Sequence, residues 1–357
     1  MGISTVLIVK NEATDLEKCL SCVAPFSDEI VIVDTGSTDG SKDIAKKFNA
    51  SIFDFDWCDD FSKARNFAIS KAQENIIFSI DADERVDLKD HSKFFELKKD
   101  TPPDKIWGFS LPIRHYINER VIDFDYFACL GEYSDMETTK GYIQTFKTLL
   151  FPNCPQIFFE DSIHETVEQS ILKNNGKLVK VDIPVHHYGY LKEINENKSK
   201  SENYAKLLLK EIGKDDSNFK KNFDYGHYLL SKKRFKEALI YIKKAYDLSG
   251  NSHGRIAYFL GVIYFSLKQF DEAKKIFEEL CDIKQPSVYY HLIQIALIKN
   301  DRESALKLSR EALRLFKDDI TFLEFTYKIY IDLGKDNLAK KYLQKLENIL
   351  KCKKRNL

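Results

Sequence analysis

One short apolar run in this chain ends in clustered carboxylates. Residues 76–80 read IIFSI, and Asp81, Ala82, Asp83 and Glu84 follow directly. An apolar run of this length predicts a buried strand, and α/β sheets bind ligands beyond the carboxyl ends of their strands. Two carboxylates at such a place offer the oxygen ligands that a divalent cation prefers, and the cation can also hold a diphosphate. The Asp-x-Asp pattern is weak alone, because it also occurs on solvated turns.

Residues 1 to about 190 alternate between strand-like and helix-like patterns. The strand-like segments are Ser4–Val9, Glu29–Val33, Ser51–Phe55 and Ile76–Ile80, with later ones at Trp107–Ile113, Lys147–Phe151, Ile157–Phe159 and Lys180–Val185. The helix-like segments between the first four are Ala13–Val23, Ser41–Phe48 and Phe61–Ala72. Such alternation predicts an α/β fold with a mainly parallel sheet covered by helices on both faces.

The second half carries an internal repeat. Ala238, Ala273, Ala305 and Ala339 recur at spacings of 35, 32 and 34 residues, and a glycine lies twelve residues before each of the first two. Small residues at these offsets let two antiparallel helices pack closely. The pattern resembles tetratricopeptide repeats, about three to four of them over roughly 218–350, and such arrays form concave binding surfaces.

Composition excludes several classes of protein. Basic and acidic residues number 55 each in 357 residues, which argues against a nucleic-acid binder that relies on a general basic field. No apolar run reaches the roughly 20 residues of a membrane span, and the start reads as a first strand rather than a signal peptide. The seven cysteines are scattered and odd in number, as expected of free thiols in a reducing cytoplasm.

Polar residues also follow the other predicted strands. Asp34 closes the second apolar run, where it could accept a hydrogen bond from a base or ribose or simply cap the turn. In the segment DDFSKARNFAI, Lys63, Arg65 and Asn66 lie early in a helix, where the arginine could reach a phosphate or form part of a solvated face. The glycines match neither a dinucleotide fingerprint nor a P-loop.

Four motifs occur in order, each at a strand end: STVLIVKNEATDLEKCL, DEIVIVDTGSTDGS, DFSKARNFAI and IFSIDADERV. Together they resemble the inverting family 2 glycosyltransferases with the GT-A fold, closely over about 90 residues and more loosely to about 190. The expected architecture is therefore a GT-A domain at 1–195, a connection at 196–217 and an all-α tetratricopeptide-like domain at 218–357.

The resemblance implies a nucleotide-sugar donor, with a UDP-sugar favoured, and Mn²⁺ or Mg²⁺ as cofactor. The positions that it assigns to donor binding are Val9, Asn11, Glu12, Asp34, Lys63, Arg65, Asn66, Asp81 and Ala82. Asp83 is implied as the main metal ligand, with Asp81 beside it. A cation there would neutralise the charge that builds up on the leaving nucleotide.

Two later segments complete the implied site. FFEDSIHETVEQSI contains Asp161 and Glu165, and IPVHHYGY contains His187. The resemblance suggests Glu165 as the base that deprotonates the acceptor, with Asp161 as the alternative, and His187 as a group near the metal or phosphate. Inversion by a single displacement needs one such base. A surface glutamate and a structural histidine remain the simpler interpretations of Glu165 and His187.

The acceptor is less constrained. A helical repeat array suits a peptide or protein acceptor, as in peptide S- or O-glycosyltransferases that join a GT-A domain to such helices. A cell-surface glycan or lipopolysaccharide acceptor is the alternative, and a non-enzymatic repeat scaffold is the alternative from another class. The aromatic residues within Phe322–Tyr330, predicted to be exposed, suggest a homodimer.

Overall fold

The computed structural model describes residues 1–100, 105–118, 126–191, 194–250 and 253–355. The chain divides into two compact units, Met1–Glu202 and Asn203–Leu357. The predicted connection at 196–217 is largely one helix, Ile194–Lys214, and the described helices include none long and apolar enough to cross a membrane.

The first unit is an α/β domain. Its strands are β1 Ile3–Val9, β2 Glu29–Asp34, β3 Ser51–Asp54, β4 Ile76–Ser79, β5 Glu84–Val86, β6 Trp107–Ile117, β7 Tyr126–Ala128, β8 Gly141–Pro152, β9 Lys177–Lys180 and β10 Val185–His187. Its helices are α1 Ala13–Val23, α2 Ser41–Lys47, α3 Phe61–Lys71, α4 His91–Asp100 and α5 Glu168–Lys173. The first four predicted strands and three predicted helices are therefore present to within a residue or two.

All ten described strands join one mixed sheet. Its order is β3-β2-β1-β4-β8-β6-β10-β5, with β7 paired to β8 and β9 paired to β6. The strands β3, β2, β1 and β4 run parallel, β8 runs against β4 and β6, and β10 is parallel to β6. The carboxyl ends of β1, β2, β4 and β10 consequently lie along the same edge of the sheet.

Helices cover both faces of this sheet, as predicted. On one face, residues such as Leu7 of β1 and Phe78 of β4 pack with Leu16 and Leu20 of α1 and Phe94 of α4. On the other face, residues such as Val6 and Ile77 pack with Ala68 of α3 and Ile171 of α5. The alternation of apolar side chains along β1 and β4 explains this arrangement, because successive residues of a strand point to opposite faces.

Two strand predictions in the later part of this unit are wrong. Ile157–Phe159 is not a strand: Ile157 and Phe159 are buried beside the sheet, and the backbone of Phe159 pairs with the side chain of Asn66 instead of another strand. The predicted strand Lys180–Val185 is interrupted, because β9 ends at Lys180 and β10 begins at Val185, after Pro184, which has no N–H to donate.

The second unit is a run of antiparallel helices. They begin with the later part of α6 Ile194–Lys214, which crosses the boundary at residue 203. The others are α7 Phe219–Ser231, α8 Phe235–Leu248, α9 Gly254–Ser266, α10 Phe270–Glu279, α11 Pro286–Ile298, α12 Arg302–Leu315, α13 Ile320–Asp332 and α14 Asp336–Arg355. From α7 onward each helix packs on its neighbours in sequence. This order is the helical repeat array that the sequence predicted.

The repeat spacing corresponds to repeated geometry. The four recurring alanines, Ala238, Ala273, Ala305 and Ala339, are all completely buried. Five residues before each of them, a tight turn between two helices contains a residue of positive φ; these residues are Lys233 (58°), Lys268 (61°), Asn300 (62°) and Gly334 (67°). Each pair of helices is thus joined by the same kind of turn, and each pair has a buried alanine at the same position after that turn.

The prediction of exposed aromatic residues within Phe322–Tyr330 is wrong at both ends of that segment. Phe322 is 1% exposed and Tyr330 is 5% exposed. Phe322 packs in the apolar cluster formed with α11 and α12, and the ring of Tyr330 lies 5.5 Å from that of Tyr342 on α14. These rings hold neighbouring helices together, so they give no support to a homodimer.

Close helix packing at Gly261 leads to a stability prediction. A Cβ atom at Gly261 would lie 2.7 Å from the ring of Phe277, which is completely buried. We expect Gly261→Ala to lower the free energy of unfolding by about 1–3 kcal/mol, because the buried ring would have to shift to make room for the added Cβ atom. Urea denaturation of the full chain measures the change.

Gly213→Ala is the matched control. Gly213 lies in helix α6, and a Cβ atom there would meet nothing within 4 Å. Alanine is the better helix former, so this change should be neutral or stabilise by up to about 1 kcal/mol. Equal effects of the two substitutions would show that the contact with Phe277 does not determine packing at Gly261.

Candidate active site

The loops after β1 and β2 are bonded to each other. Asn11 adopts a left-handed conformation with φ 55°, and its Oδ1 accepts a hydrogen bond from the backbone N–H of Thr38 at 2.8 Å. The backbone N–H of Asn11 donates to Ser37 Oγ, and that of Glu12 donates to Ser41 Oγ, both at 3.0 Å. The ends of the first two strands therefore form one connected surface.

Asp34 lies at the end of β2, beside Val9 at the end of β1. Its side chain is 2% exposed, and its Oδ1 accepts the backbone N–H groups of Gly36 and Ser37. Burial raises the pKa of Asp34, but the hydrogen bonds from Ser37 and Gly36 outweigh burial and hold the pKa below its ordinary value. Asp34 therefore shapes the turn as an ionised group, and whether it also contacts a nucleotide stays a prediction.

Arg65 connects two of the predicted carboxylates. This arginine, on α3, is only 4% exposed. Its Nη2 donates to Asp81 Oδ1 at 2.6 Å, its Nε donates to Glu165 Oε1 at 2.5 Å, and its Nη1 donates to the hydroxyl of Ser79 at 3.2 Å. The solvated-face interpretation of Arg65 is therefore wrong, since the guanidinium bridges the end of β4 to the 159–166 segment.

Asp81 is enclosed by positive charge. Its second oxygen, Oδ2, accepts a hydrogen bond from Lys147 Nζ of β8 at 3.0 Å. Burial alone would raise the pKa of Asp81, but the charges of Arg65 and Lys147 hold it well below its usual range. Both oxygens of Asp81 are therefore engaged by side chains of the protein.

Glu84 holds the backbone of the turn that carries Asp81 and Asp83. Its carboxylate is 3% exposed and accepts the backbone N–H of Asp81 at 2.9 Å. Burial raises the pKa of Glu84, and the negative charge of Asp81 adds to this effect, against the opposing charge of Lys147. Glu84 thus fixes the backbone of the Asp-x-Asp turn.

The segment that carries Glu165 is held rigidly at its base. The side-chain amide of Asn66 donates to the carbonyl of Phe159 at 2.9 Å and accepts its N–H at 2.8 Å. Glu160 and Thr166 form an antiparallel bridge, so residues 161–165 make a tight loop. In that loop Asp161 and His164 have positive φ values of 68° and 55°, a conformation that clusters at functional sites.

Asp83, the second aspartate of the Asp-x-Asp turn, faces His187. Asp83 Oδ1 and His187 Nε2 lie 3.7 Å apart, and both side chains are about one-fifth exposed. The backbone N–H of Tyr188 donates to the carbonyl of Asp83 at 3.1 Å and fixes the turn against β10. A Cβ atom on Gly189 would lie 2.6 Å from His187 Nε2 and 2.9 Å from Asp83 Oδ2, so only glycine leaves this space open.

His187 also has a partner on the adjacent strand. Its Nδ1 lies 2.9 Å from Nδ1 of His115, which is directly opposite in the parallel register of β10 and β6. The Nε2 of His115 lies 2.7 Å from the hydroxyl of Thr145. Burial lowers the pKa of His115 to about 3, and the neighbouring His187 and Lys147 act in the same direction, so His115 is neutral at physiological pH.

Four further residues predicted to bind the donor are Lys63, Ala82, Val9 and Asn66. The side chain of Lys63 is 66% exposed, and its Nζ is 3.5 Å from Asp60. Ala82 is 5% exposed between the two aspartates, and Val9 is 2% exposed at the end of β1. The amide of Asn66 is fully engaged by Phe159. Nucleotide contacts by these four residues stay predictions.

Asp83, Asp81 and His187 do not form a three-residue ligand set. The described part of the chain contains no group of three or more His, Cys, Asp or Glu side chains placed to hold one metal ion. Asp83 and His187 remain as a facing pair, while Asp81 belongs to the Arg65 and Lys147 network.

Three members of the site did not emerge from the sequence. They are Glu84, Lys147 and His115. Glu84 had a local signal, because it directly follows the Asp-x-Asp pattern. Lys147 had one as well, because it is a lone lysine in the apolar segment TFKTLLF. His115 had no local signal, because only the pairing of β6 with β10 brings it to His187.

The fold and site define a class: an α/β domain with charged groups at the carboxyl edge of its sheet, joined to a helical repeat unit. Residues 4–166 match the family model described as glycosyl transferase family 2, and residues 254–287 match one described as a tetratricopeptide repeat. The first unit therefore carries a family 2 glycosyltransferase domain, and the second carries tetratricopeptide-type repeats.

Three curated relatives are similar to this chain, two of them named as glycosyltransferases and one as a repeat-containing protein. A TPR repeat-containing protein of Synechococcus elongatus is 30% identical over 58% of this chain and 47% of its own length. The SPbeta prophage-derived glycosyltransferase SunS of Bacillus subtilis is 27% identical over 67% of this chain and 52% of its own length. An uncharacterized glycosyltransferase of Rickettsia conorii is 25% identical over 61% of this chain and 74% of its own length. The chain spans about half the length of the first two relatives.

Proposed function

We propose that this chain is a metal-dependent inverting glycosyltransferase that moves one sugar from a nucleotide-sugar donor to a peptide or protein side chain. The observation that carries the proposal is the facing pair Asp83 and His187, 3.7 Å apart beside the Arg65 network in a family 2 domain. Sugar transfer from a nucleotide releases an anionic diphosphate, so the site needs positive charge, which a divalent cation held by a carboxylate and a histidine would supply.

The facing pair fits a divalent cation. A separation of 3.7 Å is too long for a hydrogen bond, and Asp83 and His187, which supply an oxygen and a nitrogen at this spacing, would be the residues that hold the ion. The space that Gly189 leaves open lies against the same two side chains. Mg²⁺ is typically held by one or two carboxylates together with substrate phosphates, so two protein ligands suffice. When bound, Mn²⁺ or Mg²⁺ would neutralise charge on the leaving diphosphate.

Glu165 is our proposed acceptor base. Arg65 binds its Oε1 and so orients the carboxylate, while the same arginine anchors Asp81. One positioned carboxylate suffices for inversion, since the acceptor proton is removed during a single displacement. Asp161, in the strained loop four residues earlier, is the alternative base.

The proposal is tested by nucleotide release from UDP-, GDP- and dTDP-sugars, first with Mn²⁺ or Mg²⁺ and then with EDTA. We expect one donor, with a UDP-sugar favoured, to release nucleotide only when metal is present. Release that EDTA leaves unchanged would contradict the role of the metal, and the absence of release with every donor and acceptor would favour the repeat scaffold. The anomeric configuration of the product, read by NMR, tests inversion.

A groove in the second unit supports a peptide acceptor. It has a volume of about 430 Å³ between α12 and the turn from α13 to α14, with an apolar floor that includes Leu306 and Leu333. Its basic side chains are Lys307, Arg310, Arg314 and Lys335, and within the described residues none of them forms an ion pair. Its acidic residues are Glu303 and Glu311, so the four basic side chains outnumber the acidic ones by two. Glu311 accepts a hydrogen bond from the Tyr289 hydroxyl. We propose that this groove recruits an acidic segment of the acceptor.

Replacing three of these cations should weaken binding of an acidic peptide. The triple variant Lys307→Gln, Arg310→Gln and Arg314→Gln is expected to raise the Kd of a fluorescein-labelled peptide of alternating Glu, Asp and Leu by about tenfold or more. Fluorescence anisotropy of the full chain measures the change.

A triple variant with the same charge change is the control for this groove. The control cations are Arg234, Lys274 and Lys328, which lie outside the groove and pair with a glutamate three or four residues away in sequence. These partners are Glu237, Glu278 and Glu324. Replacement of the three control cations by glutamine should change the Kd by less than about twofold. Equal losses in the two variants would point to a general charge effect and against the groove.

The cell-surface glycan or lipopolysaccharide acceptor is the runner-up, and product analysis with each acceptor class separates the two. We propose the cytoplasm as the location, because free thiols are typical of a reducing compartment. The cysteines with free thiols are Cys19, Cys22, Cys58, Cys129, Cys154 and Cys281.

A further inference from the structure

His115 and His187 form a hydrogen-bonded pair across two strands. Their Nδ1 atoms are 2.9 Å apart, and the strand register places the two residues directly opposite each other. The rings meet nearly edge to face, with centroids 4.8 Å apart and planes at 76°. Each histidine therefore uses its Nδ1 on the other, which leaves the two Nε2 atoms pointing to different partners.

One proton arrangement suits metal binding by His187. If His187 Nδ1 carries the proton and donates it to His115, the Nε2 of His187 has a free lone pair towards Asp83, 3.7 Å away. His115 then accepts at Nδ1 and carries its own proton on Nε2, which can donate to the Thr145 hydroxyl at 2.7 Å. The hydrogen bonds of His187, His115 and Thr145 are all made in this arrangement. A metal-binding histidine is commonly held in this way through its second nitrogen.

We infer that His115 is a positioning residue, which fixes the tautomer of His187 and aims its Nε2 at the cation site. This inference rests on the proposed function, because it requires His187 to bind a metal. His115 itself acts only through His187, since its Nδ1 is 2.9 Å from that residue and its Nε2 faces Thr145.

A packing role is the simpler alternative for His115. The ring of Tyr190 lies 5.6 Å from that of His115 and 5.8 Å from that of His187, in edge-to-face contact with both. If packing alone mattered, His115→Phe would preserve the site, because it keeps an aromatic ring. If the hydrogen bond matters, His115→Asn should do better, because its side-chain oxygen can accept the proton of His187.

Binding of Mn²⁺ to the full chain, first alone and then with UDP present, tests the inference, with free Mn²⁺ followed by electron paramagnetic resonance. We expect His115→Phe to weaken Mn²⁺ binding by about 10–100-fold, the range found for partners of metal-binding histidines, and His115→Asn to restore most of the loss. Circular dichroism checks that both variants fold.

The outcomes separate this inference from the proposed function. If the parent binds Mn²⁺ and His115→Phe binds it equally well, His115 is not a positioning residue, while the metal proposal stands. If His115→Phe binds Mn²⁺ better than His115→Asn, packing explains the residue and the inference is overturned. If the parent shows no saturable Mn²⁺ binding either alone or with UDP present, the metal proposal itself fails, and the inference fails with it.

Discussion

Asp83→Ala is expected to lower the rate of sugar transfer by about 10³-fold, because the proposed cation would lose its only carboxylate. Asp83 faces His187 at 3.7 Å and is not part of the buried Arg65 network, so the fold should persist. Steady-state turnover with the preferred donor, measured at saturating Mn²⁺, gives the rate. Thermal unfolding of the same sample should be close to that of the parent.

Asp135→Ala is the matched control for Asp83→Ala. Asp135 is an exposed carboxylate of the same unit, and we place it in no part of the site. Its replacement removes the same charge and should leave turnover within about twofold of the parent. An Asp83→Ala protein that transfers sugar at the parent rate would rule out Asp83 as the metal ligand.

Arg65→Met is expected to lower the free energy of unfolding by about 3–5 kcal/mol, because it leaves Asp81 and Glu165 without their shared buried cation. Methionine fills much of the space but provides no donor to either carboxylate. Lysine at this position keeps the charge without the fork that reaches both groups, so Arg65→Lys should fall between the parent and Arg65→Met. Urea denaturation measures all three proteins.

The same substitution has a predicted pH dependence. The pKa of Asp81 is depressed in the folded state, so the stability that its ionisation provides is present above its unfolded pKa, about 3.9, and is lost as the pH falls. The unfolding free energy of the parent should therefore decline below about pH 5 more steeply than that of Arg65→Met. Glu84, whose pKa is raised, contributes in the opposite direction in both proteins.

Arg234→Met is the control for Arg65→Met. Arg234 pairs with Glu237 at 2.5 Å, but this pair is exposed, with side chains 48% and 53% accessible. Its loss should change the free energy of unfolding far less than Arg65→Met does, because solvent screens an exposed pair, and it should not alter the pH profile. Similar losses from both arginines would show that burial of the Arg65 network contributes little to stability.

Much of the fold could be predicted from local patterns. The strands β1, β2 and β4 are short apolar runs that end in polar residues, and the helices between them show a helical spacing of apolar residues. Their predicted bounds are therefore nearly correct. The recurring alanines predicted the repeat helices because only small residues fit where the helices cross. Each of these signals lies within one or two neighbouring elements of the chain.

The parts that were missed depend on pairing between distant segments. His115 meets His187 only through the register of β6 with β10, and Lys147 reaches Asp81 only because β8 lies beside β4. Ile157–Phe159 has the composition of a strand, yet Asn66 takes up the backbone bonds of Phe159. Phe322 and Tyr330 were predicted at the surface because a sequence does not show which face of α13 meets its neighbours.

Calorimetric titration of the parent chain with UDP, GDP and dTDP, each with Mn²⁺ and with EDTA, tests the central claim most directly. We expect one nucleotide, with UDP favoured, to bind in the presence of Mn²⁺ and to lose most of its affinity in EDTA, because the diphosphate and the Asp83–His187 pair share the cation. Nucleotide binding of equal affinity in EDTA, or no binding of any nucleotide with Mn²⁺, would contradict a metal-dependent nucleotide-sugar site at the carboxyl edge of this sheet.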